Sequence, residues 1–455
     1  MSISETRATQ GVSPILLPEL RSIIGDAATV REIFEELHPA DGAELLACLS
    51  PEEGRAVVEA LPPAGAAAIL AHLDVVRRQR VLEAMSPDAV AAVLENMATD
   101  DRAESLARLD TEVREKLLGR LSPEARAATE VALGHAASTA GRLMTDRYQS
   151  VPDSARAGEA LELARAGARL GRSVTTLFVV DRLGVLKGRL VLRQVLAATP
   201  GTPVVEIMDP PISVNENTDQ EQVARLIAKY DLLAAPVVDT AGKLLGIVTI
   251  DDIIDVLTAE HTEDVLRLGG VEPLGTPYFA AGFWLVARKR AFWLLLLFAG
   301  ELLTANALGH FSMAIEEALT LVLFIPLIVS SGGNAGSQSA TLITRGLAVG
   351  EIRPAQVLRV AMREGGMGLA MGVGLGVIGF VRAFLGGQGS QVGLVVGMTL
   401  AVVVMFGSLI GGLLPIMFKR LGLDPAITSS PFIASLVDVA GIIVYFSLAT
   451  WILRL

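Results

Sequence analysis

Residues 429–441 read SSPFIASLVDVAG, at the head of an apolar segment, Pro431 to Leu453, whose one acidic or basic side chain is Asp438. Its 23 positions would form a helix of about 35 Å, enough to cross a bilayer. A carboxylate inside such a helix is costly, so it faces a water-filled path or a partner charge. Asp438 is therefore read as meeting a cation on its way through the membrane. A carboxylate hydrogen-bonded only for helix packing is the competing reading.

Outward from that helix, the composition divides in two. Residues 1–270 hold 27 Lys+Arg against 41 Asp+Glu, a net of −14, and residues 271–455 hold 11 against 8, a net of +3. An acidic soluble half thus precedes a membrane half. Such a charge repels nucleic acid phosphates and suits cations. Cys48 is the sole cysteine, which excludes internal disulfides and thiolate metal clusters, and the five histidines lack zinc-ligand spacing. No nucleophile–base set, P-loop or metal-hydrolase motif points to an enzyme. The first twenty residues lack a basic stretch followed by an apolar core, so no signal peptide is expected.

Five apolar segments predict five spans: 283–308, 318–344, 365–381 (between Glu364 and Arg382), 392–418 and 431–453. An odd number puts the termini on opposite sides. Nine basic residues fall on the N-terminal side (288, 289, 290, 345, 353, 359, 363, 419 and 420) and two, Arg382 and Arg454, on the other. The positive-inside rule then predicts a cytosolic soluble half, an outside C-terminus and a plasma-membrane location. The second span carries SSGGNAGSQSAT (330–341), where Asn334 and Gln338 share a face. Their amide oxygens suit the water shell of a cation that dehydrates reluctantly; hydrogen bonds between helices are the alternative. Asp438 lies about 10 Å into its helix, with Ala434 one turn earlier offering a carbonyl. Glu301 is expected near the outer interface.

The soluble half contains two repeats. Leu37, Leu49, Leu61, Leu73, Met85, Met97, Leu109 and Leu121 recur every 12 residues, most followed by turn or capping residues such as Ser50-Pro51, Ser86-Pro87, Thr99-Asp100 and Ser122-Pro123. Short helices joined by turns, stacked on an apolar seam, make an α-solenoid. Its outer face is expected to be acidic, with Asp100, Asp101 and Glu104 at one helix start; ordinary helix-terminus electrostatics is the alternative. Further on, Phe178-Val-Val-Asp181 matches 236–239, and GVLKGRLVLRQVL (184–196) matches GKLLGIVTIDDII (242–254). This resembles a tandem CBS pair, an α/β module that commonly binds adenine nucleotides. The signature of that family falls on Gly246, Thr249 and Asp252. In the first unit it falls on Gly188, Val191 and Gln194, so one nucleotide site is expected. The following stretch, DDIIDVLTAEHTEDVLRL (251–268), carries Asp252, Asp255, Glu260 and Glu263 within about 140° of one helix face. These like charges repel unless a divalent cation neutralises them; a solvated acidic face is the alternative.

Over nearly its whole length the chain resembles the MgtE family of magnesium channels and transporters. The motifs, in order, are REIFEELHPAD (31–41), AGRLMT (140–145), KYDLLAAPVVD (229–239), GIVTIDDIIDVL (246–257), AEHTEDVLRLGG (259–270), GGNAGSQSATLITRGLA (332–348) and LDPAITSSPFIASLVDVAG (423–441). The resemblance implies a multidomain membrane protein: an α-solenoid over 21–135, a tandem CBS pair over 138–257, an acidic connecting helix and linker over 251–280, and an all-α five-helix pore domain over 281–455. It implies a homodimer in the lipid bilayer with a pore on its axis, selective for hydrated Mg2+. The pore aspartate falls on Asp438, with Ala434 and Asn334 in the same shell. The sensor carboxylates fall on Asp100, Glu221, Asp231, Asp252, Asp255, Glu260, Glu263 and Asp264, with Asp424 at the membrane boundary. Bound Mg2+ would shut the pore, and ATP in the CBS pair would raise sensitivity to Mg2+. Ala68, where relatives can offer a glutamate, and Glu104, where an aspartate is common, imply weaker sensing by the N-terminal domain.

Other readings are a broader transporter of Co2+, Mn2+ or Ni2+, a non-conducting membrane Mg2+ sensor, and a CBS-regulated anion channel. The last fits poorly, because anion paths use basic side chains or helix N-termini.

Overall fold

The computed structural model describes residues 21–274, 278 and 281–454. The N-terminal stretch read as lacking a signal peptide and part of the linker before the first span lie outside the described residues. The chain forms two compact units that divide between Thr258 and Ala259.

The first unit begins with short helices from Ala27–Glu36 to Pro123–Gly134, each packed mainly on the next but one. Ser50 and Glu53 close a capping box, and Ser86 and Ser122 accept from Ala89 and Ala125 N–H at 3.3 and 3.2 Å. Proline follows each serine as the first helical residue, where its missing N–H costs nothing. The 12-residue series falls at helix ends, where Leu37, Leu61, Leu73, Met85, Met97 and Leu121 enter one continuous core. Thr99 departs from the expected capping role. It is the first residue of its helix, and its hydroxyl donates to Asp146 Oδ1 at 2.7 Å instead.

Two three-stranded sheets follow. In one, β1 (Tyr148–Pro152) runs parallel to β2 (Ser173–Val180), which pairs antiparallel with β3 (Leu186–Val191). In the other, β4 (Val214–Asn215), β5 (Ala234–Val238) and β6 (Leu244–Thr249) repeat that order. Asp181 and Asp239 hold equivalent turns, each accepting two backbone N–H groups through one oxygen.

In the second unit five helices are long and apolar enough to cross a membrane: the first, Phe283–His310; the second, Leu319–Ala348, opening with a 3-10 turn; the third, 354–385; the fourth, Gly389–Arg420; and the fifth, Ser430–Leu453. The second, fourth and fifth pack together, and the third lies along the fourth. Glycine makes this possible, because small residues let backbones approach in a setting with no hydrophobic drive between helices. A Cβ on Gly411 would lie 2.8 Å from the Gly336 carbonyl carbon, and one on Gly376 3.2 Å from that of Gly397. Gly411→Val should therefore push the second and fourth helices apart at a cost above ~3 kcal/mol. The check is thermal melting in detergent, and an unchanged melt would contradict the packing.

The first helix buries none of its residues within the chain and meets mainly the fifth, through Gly300 beside Ser435 and Phe311 stacked on Phe446 at 5.5 Å. The helical third segment extends well before the expected start at residue 365. Glu364, read as a span boundary, is inside the helix and 5 % exposed.

Candidate functional site

Asp438 is half-buried on the fifth helix, two turns after Ser430, where Ser429 caps the helix by accepting from Phe432 N–H at 3.4 Å. Across from it runs the glycine-rich part of the second helix. A Cβ on Gly333 would meet Ala434 Cβ at 3.3 Å and Asp438 Oδ1 at 3.6 Å. Gly332 and Gly336 give way to Val437 and Ile433 in the same manner. The sequence GGNAG thus lets the second helix lie against the turn holding Ala434 and Asp438, with Asn334 exposed beside that contact. Asn334 Nδ2 donates to Ser330 Oγ at 3.3 Å, which leaves the amide oxygen open as an acceptor. Ser337 Oγ donates to the Ser430 carbonyl at 3.2 Å and ties the second helix to the head of the fifth.

Glu301 departs from expectation. A Cβ on Gly300 would lie 3.2 Å from that of Ser435, so Glu301 lies close to the depth of Asp438 and well before the C-terminal end of its helix. The physical reason is length. The first helix has 28 residues, about 42 Å, so a residue late in it faces the opening turns of the fifth.

At the start of the fifth helix, Asp424 caps a 3-10 turn by accepting from Ala426 N–H at 2.8 Å. Arg267, near the end of the acidic helix Ile250–Leu268, pairs with both Asp424 and Glu263. Gly270 then turns with φ +68°, where a Cβ would sit 3.4 Å from Ser429 Oγ. Two of the predicted cation ligands therefore share one guanidinium, and the end of the acidic helix rests on the head of the helix that carries Asp438. In the sequence Arg267 is simply the first Lys or Arg after the six acids of residues 251–264.

In the first unit the acid cluster of the solenoid is not the open outer face expected. Arg78, 2 % exposed, pairs with Asp101 at 2.9 Å and with Glu104, so those two acids neutralise a buried cation. Asp100 turns the other way. Its Oδ1 is sealed from solvent without a hydrogen-bond partner, and burial, then the charges of Asp252 and Asp101, push its carboxyl well above the usual range. Burial likewise pushes Asp252 up to about 6, opposed by the Thr249 hydroxyl, which donates at 2.5 Å, and aided by Asp251 and Asp101. Two partly buried carboxylates thus oppose each other.

Of the predicted nucleotide residues, Thr249 and Asp252 are joined by that bond. Gly246 is required because a Cβ there would lie 2.9 Å from the Thr145 carbonyl. In the first CBS unit Gln194 spends its amide on Val191 N–H and Asp209, which fills the equivalent position. The remaining predicted ligands are dispersed: Glu221 pairs with Arg225, Asp231 ends a helix at φ 49°, Asp255 is exposed, and Glu260 and Asp264 lie further along the acidic helix. Among the described residues no three His, Cys, Asp or Glu side chains gather as a metal site.

Comparison with known proteins matches three family models: a divalent cation transporter domain, MgtE, over residues 325–448, the MgtE intracellular N domain over 37–138, and a CBS domain over 204–259. The chain is 40 % identical to the magnesium transporter MgtE of Thermus thermophilus over 72 % of this chain and 73 % of that one. It is 32 % identical to the magnesium transporter MgtE of Bacillus subtilis over 71 % of each. A crystal structure of the cytosolic domain of the Mg2+ channel MgtE in complex with ATP matches 53 % of this chain and 99 % of its own, at 38 % identity and a TM-score of 0.51. The soluble part of a magnesium transporter matches 54 % and 97 %, at 29 % identity and the same TM-score.

Proposed function

Since the chain belongs to the MgtE family of divalent cation transporters, we propose that it is a Mg2+-selective channel, shut by Mg2+ bound to its acidic soluble half. The observation that carries this reading is the placement of Asp438, half-buried where the glycine-rich second helix meets the fifth. In a homodimer two such carboxylates would face each other and match a divalent ion still wearing its water, with the Ala434 carbonyl and the Asn334 amide oxygen in the same shell.

Regulation follows from the opposed pair Asp100 and Asp252. Without a cation they repel. A hydrated Mg2+ between them would remove the repulsion and hold the solenoid to the CBS pair. Glu221, Asp231, Asp255, Glu260, Glu263, Asp264 and Asp424 are assigned to further sensing sites. At Glu263 and Asp424 the ion would have to displace Arg267. ATP would sit at Gly246, Thr249 and Asp252 and tune the response to Mg2+. The domains run over 21–135, 138–257, 251–280 and 281–455, with the soluble half in the cytosol and the C-terminus outside.

The test is Mg2+ flux into liposomes containing the purified full chain, with the Mg2+ bathing the soluble half varied. Flux at low Mg2+ that closes as Mg2+ rises is expected. No flux at low Mg2+ would sink the channel reading, and equal flux of Co2+, Mn2+ or Ni2+ would broaden its selectivity.

A further inference from the structure

We infer that Glu364 is a positioning residue of the membrane domain: it pins the third span helix to the second through hydrogen bonds, and so sets where the second helix lies against Asp438. The inference rests on the channel reading above. The third helix lies mainly on the fourth and meets the second through a small apolar cluster, Ile343, Leu347, Val360 and Ile416. Glu364 adds a polar bridge between them. Its carboxyl reaches Ser339 Oγ of the second helix at 2.5 Å, and the same hydroxyl lies 2.9 Å from the Ser408 carbonyl of the fourth. Three helices therefore meet at one hydroxyl.

The path of the side chain is built for it. Gly412 of the fourth helix lies beneath the crossing, where a Cβ would stand 2.8 Å from Glu364 Cγ and 3.3 Å from Ser339 Oγ. Glu364 is 5 % and Ser339 3 % exposed, and among the described residues no basic group pairs with Glu364. An acid so placed does not attract ions from solution. What it offers is hydrogen bonding. The Ser339 hydroxyl has one hydrogen and is shared between two acceptors, the Glu364 carboxyl and the Ser408 carbonyl. A carboxamide keeps an acceptor oxygen of the same reach and adds N–H donors.

The consequence reaches the ion path through the second helix. Ser339 lies two residues after Ser337, which bonds to Ser430, and six after Gly333, which touches Ala434 and Asp438. Fixing Ser339 fixes the height of that stretch relative to the fifth helix.

The experiment compares Glu364→Leu, Glu364→Gln, Ser339→Ala and Gly412→Ala in the full chain, reading liposome flux of Mg2+ and Co2+ and thermal melting in detergent. Buried hydrogen bonds between membrane helices have modest worth, so Glu364→Leu and Ser339→Ala should lower Mg2+ flux about three- to tenfold, with a changed Mg2+/Co2+ ratio. Gly412→Ala keeps both polar groups, blocks the crossing and should behave alike. Glu364→Gln should restore flux, ratio and melting. Wild-type behaviour in Glu364→Leu would overturn the pin, and a Gln variant as impaired as Leu would overturn it in favour of charge. If the wild type conducts nothing, the channel reading fails separately. Melting then decides the pin: a fall in Leu and Gly412→Ala with recovery in Gln supports it, and equal melts reject it.

Discussion

Asp438→Asn should lower Mg2+ flux at least about a hundredfold while leaving the melt of the protein close to wild type. A carboxylate about 5 Å from a divalent ion is worth several kcal/mol even at an effective dielectric near 20, and every 1.4 kcal/mol is tenfold. Asparagine keeps the size and one oxygen, so the packing against Gly333 survives and the charge alone is lost. The measurement is Mg2+ uptake into liposomes with a fluorescent indicator, alongside detergent melting. Full conduction with unaltered preference for Mg2+ over Co2+ would remove Asp438 from the ion path. Glu301 provides the comparison. It lies close to the same depth on the neighbouring helix but is exposed, so its glutamine variant should have the smaller effect.

The second large effect is expected from Asp252→Asn. At neutral pH this residue and Asp100 oppose each other in a partly buried setting that disfavours both charges. Removing one charge should stabilise the metal-free soluble half, because the repulsion it loses is present without an ion. It should also weaken the response to Mg2+. The concentration giving half-maximal protection from protease should rise about tenfold, as for loss of one supporting group at a metal site. Thr249→Val separates the two roles assigned to Asp252. It removes the hydroxyl bonded to the carboxylate but keeps the charge, so it should impair nucleotide binding while Mg2+ protection without nucleotide persists. Unchanged protection in Asp252→Asn would strip this pair of its sensing role.

These residues differ in how far they could be read beforehand. Asp438 stands out because a lone acid in an apolar run is rare at any depth, and its neighbour Ala434 follows from helical spacing. Thr249 and Asp252 were legible as a local motif three residues apart. Asp100 was visible as one of three acids at a helix start, but its role differs from that of its companions. Arg78, 23 and 26 residues earlier, takes Asp101 and Glu104, and Asp100 is left to oppose Asp252. No local pattern contains that division.

The sequence by itself determined the five spans, the 12-residue solenoid register, the paired CBS repeats and the single acid of the last span. Each is a property of periodicity or composition along the chain, where burial of apolar groups and backbone hydrogen bonding leave few alternatives. Tertiary structure alone decided that Glu364 reaches Ser339 across Gly412, that Arg267 joins Glu263 to Asp424, and that Glu301 lies close to the depth of Asp438. In the chain these read as a span boundary, the end of an acidic run and an acid near an outer interface. Their partners stand 25 to 157 residues away, except for the local Glu263–Arg267 pair. What a polar group does inside a bilayer or a protein core depends on which donor, acceptor or charge packing brings to it, and packing is a property of the assembled helices.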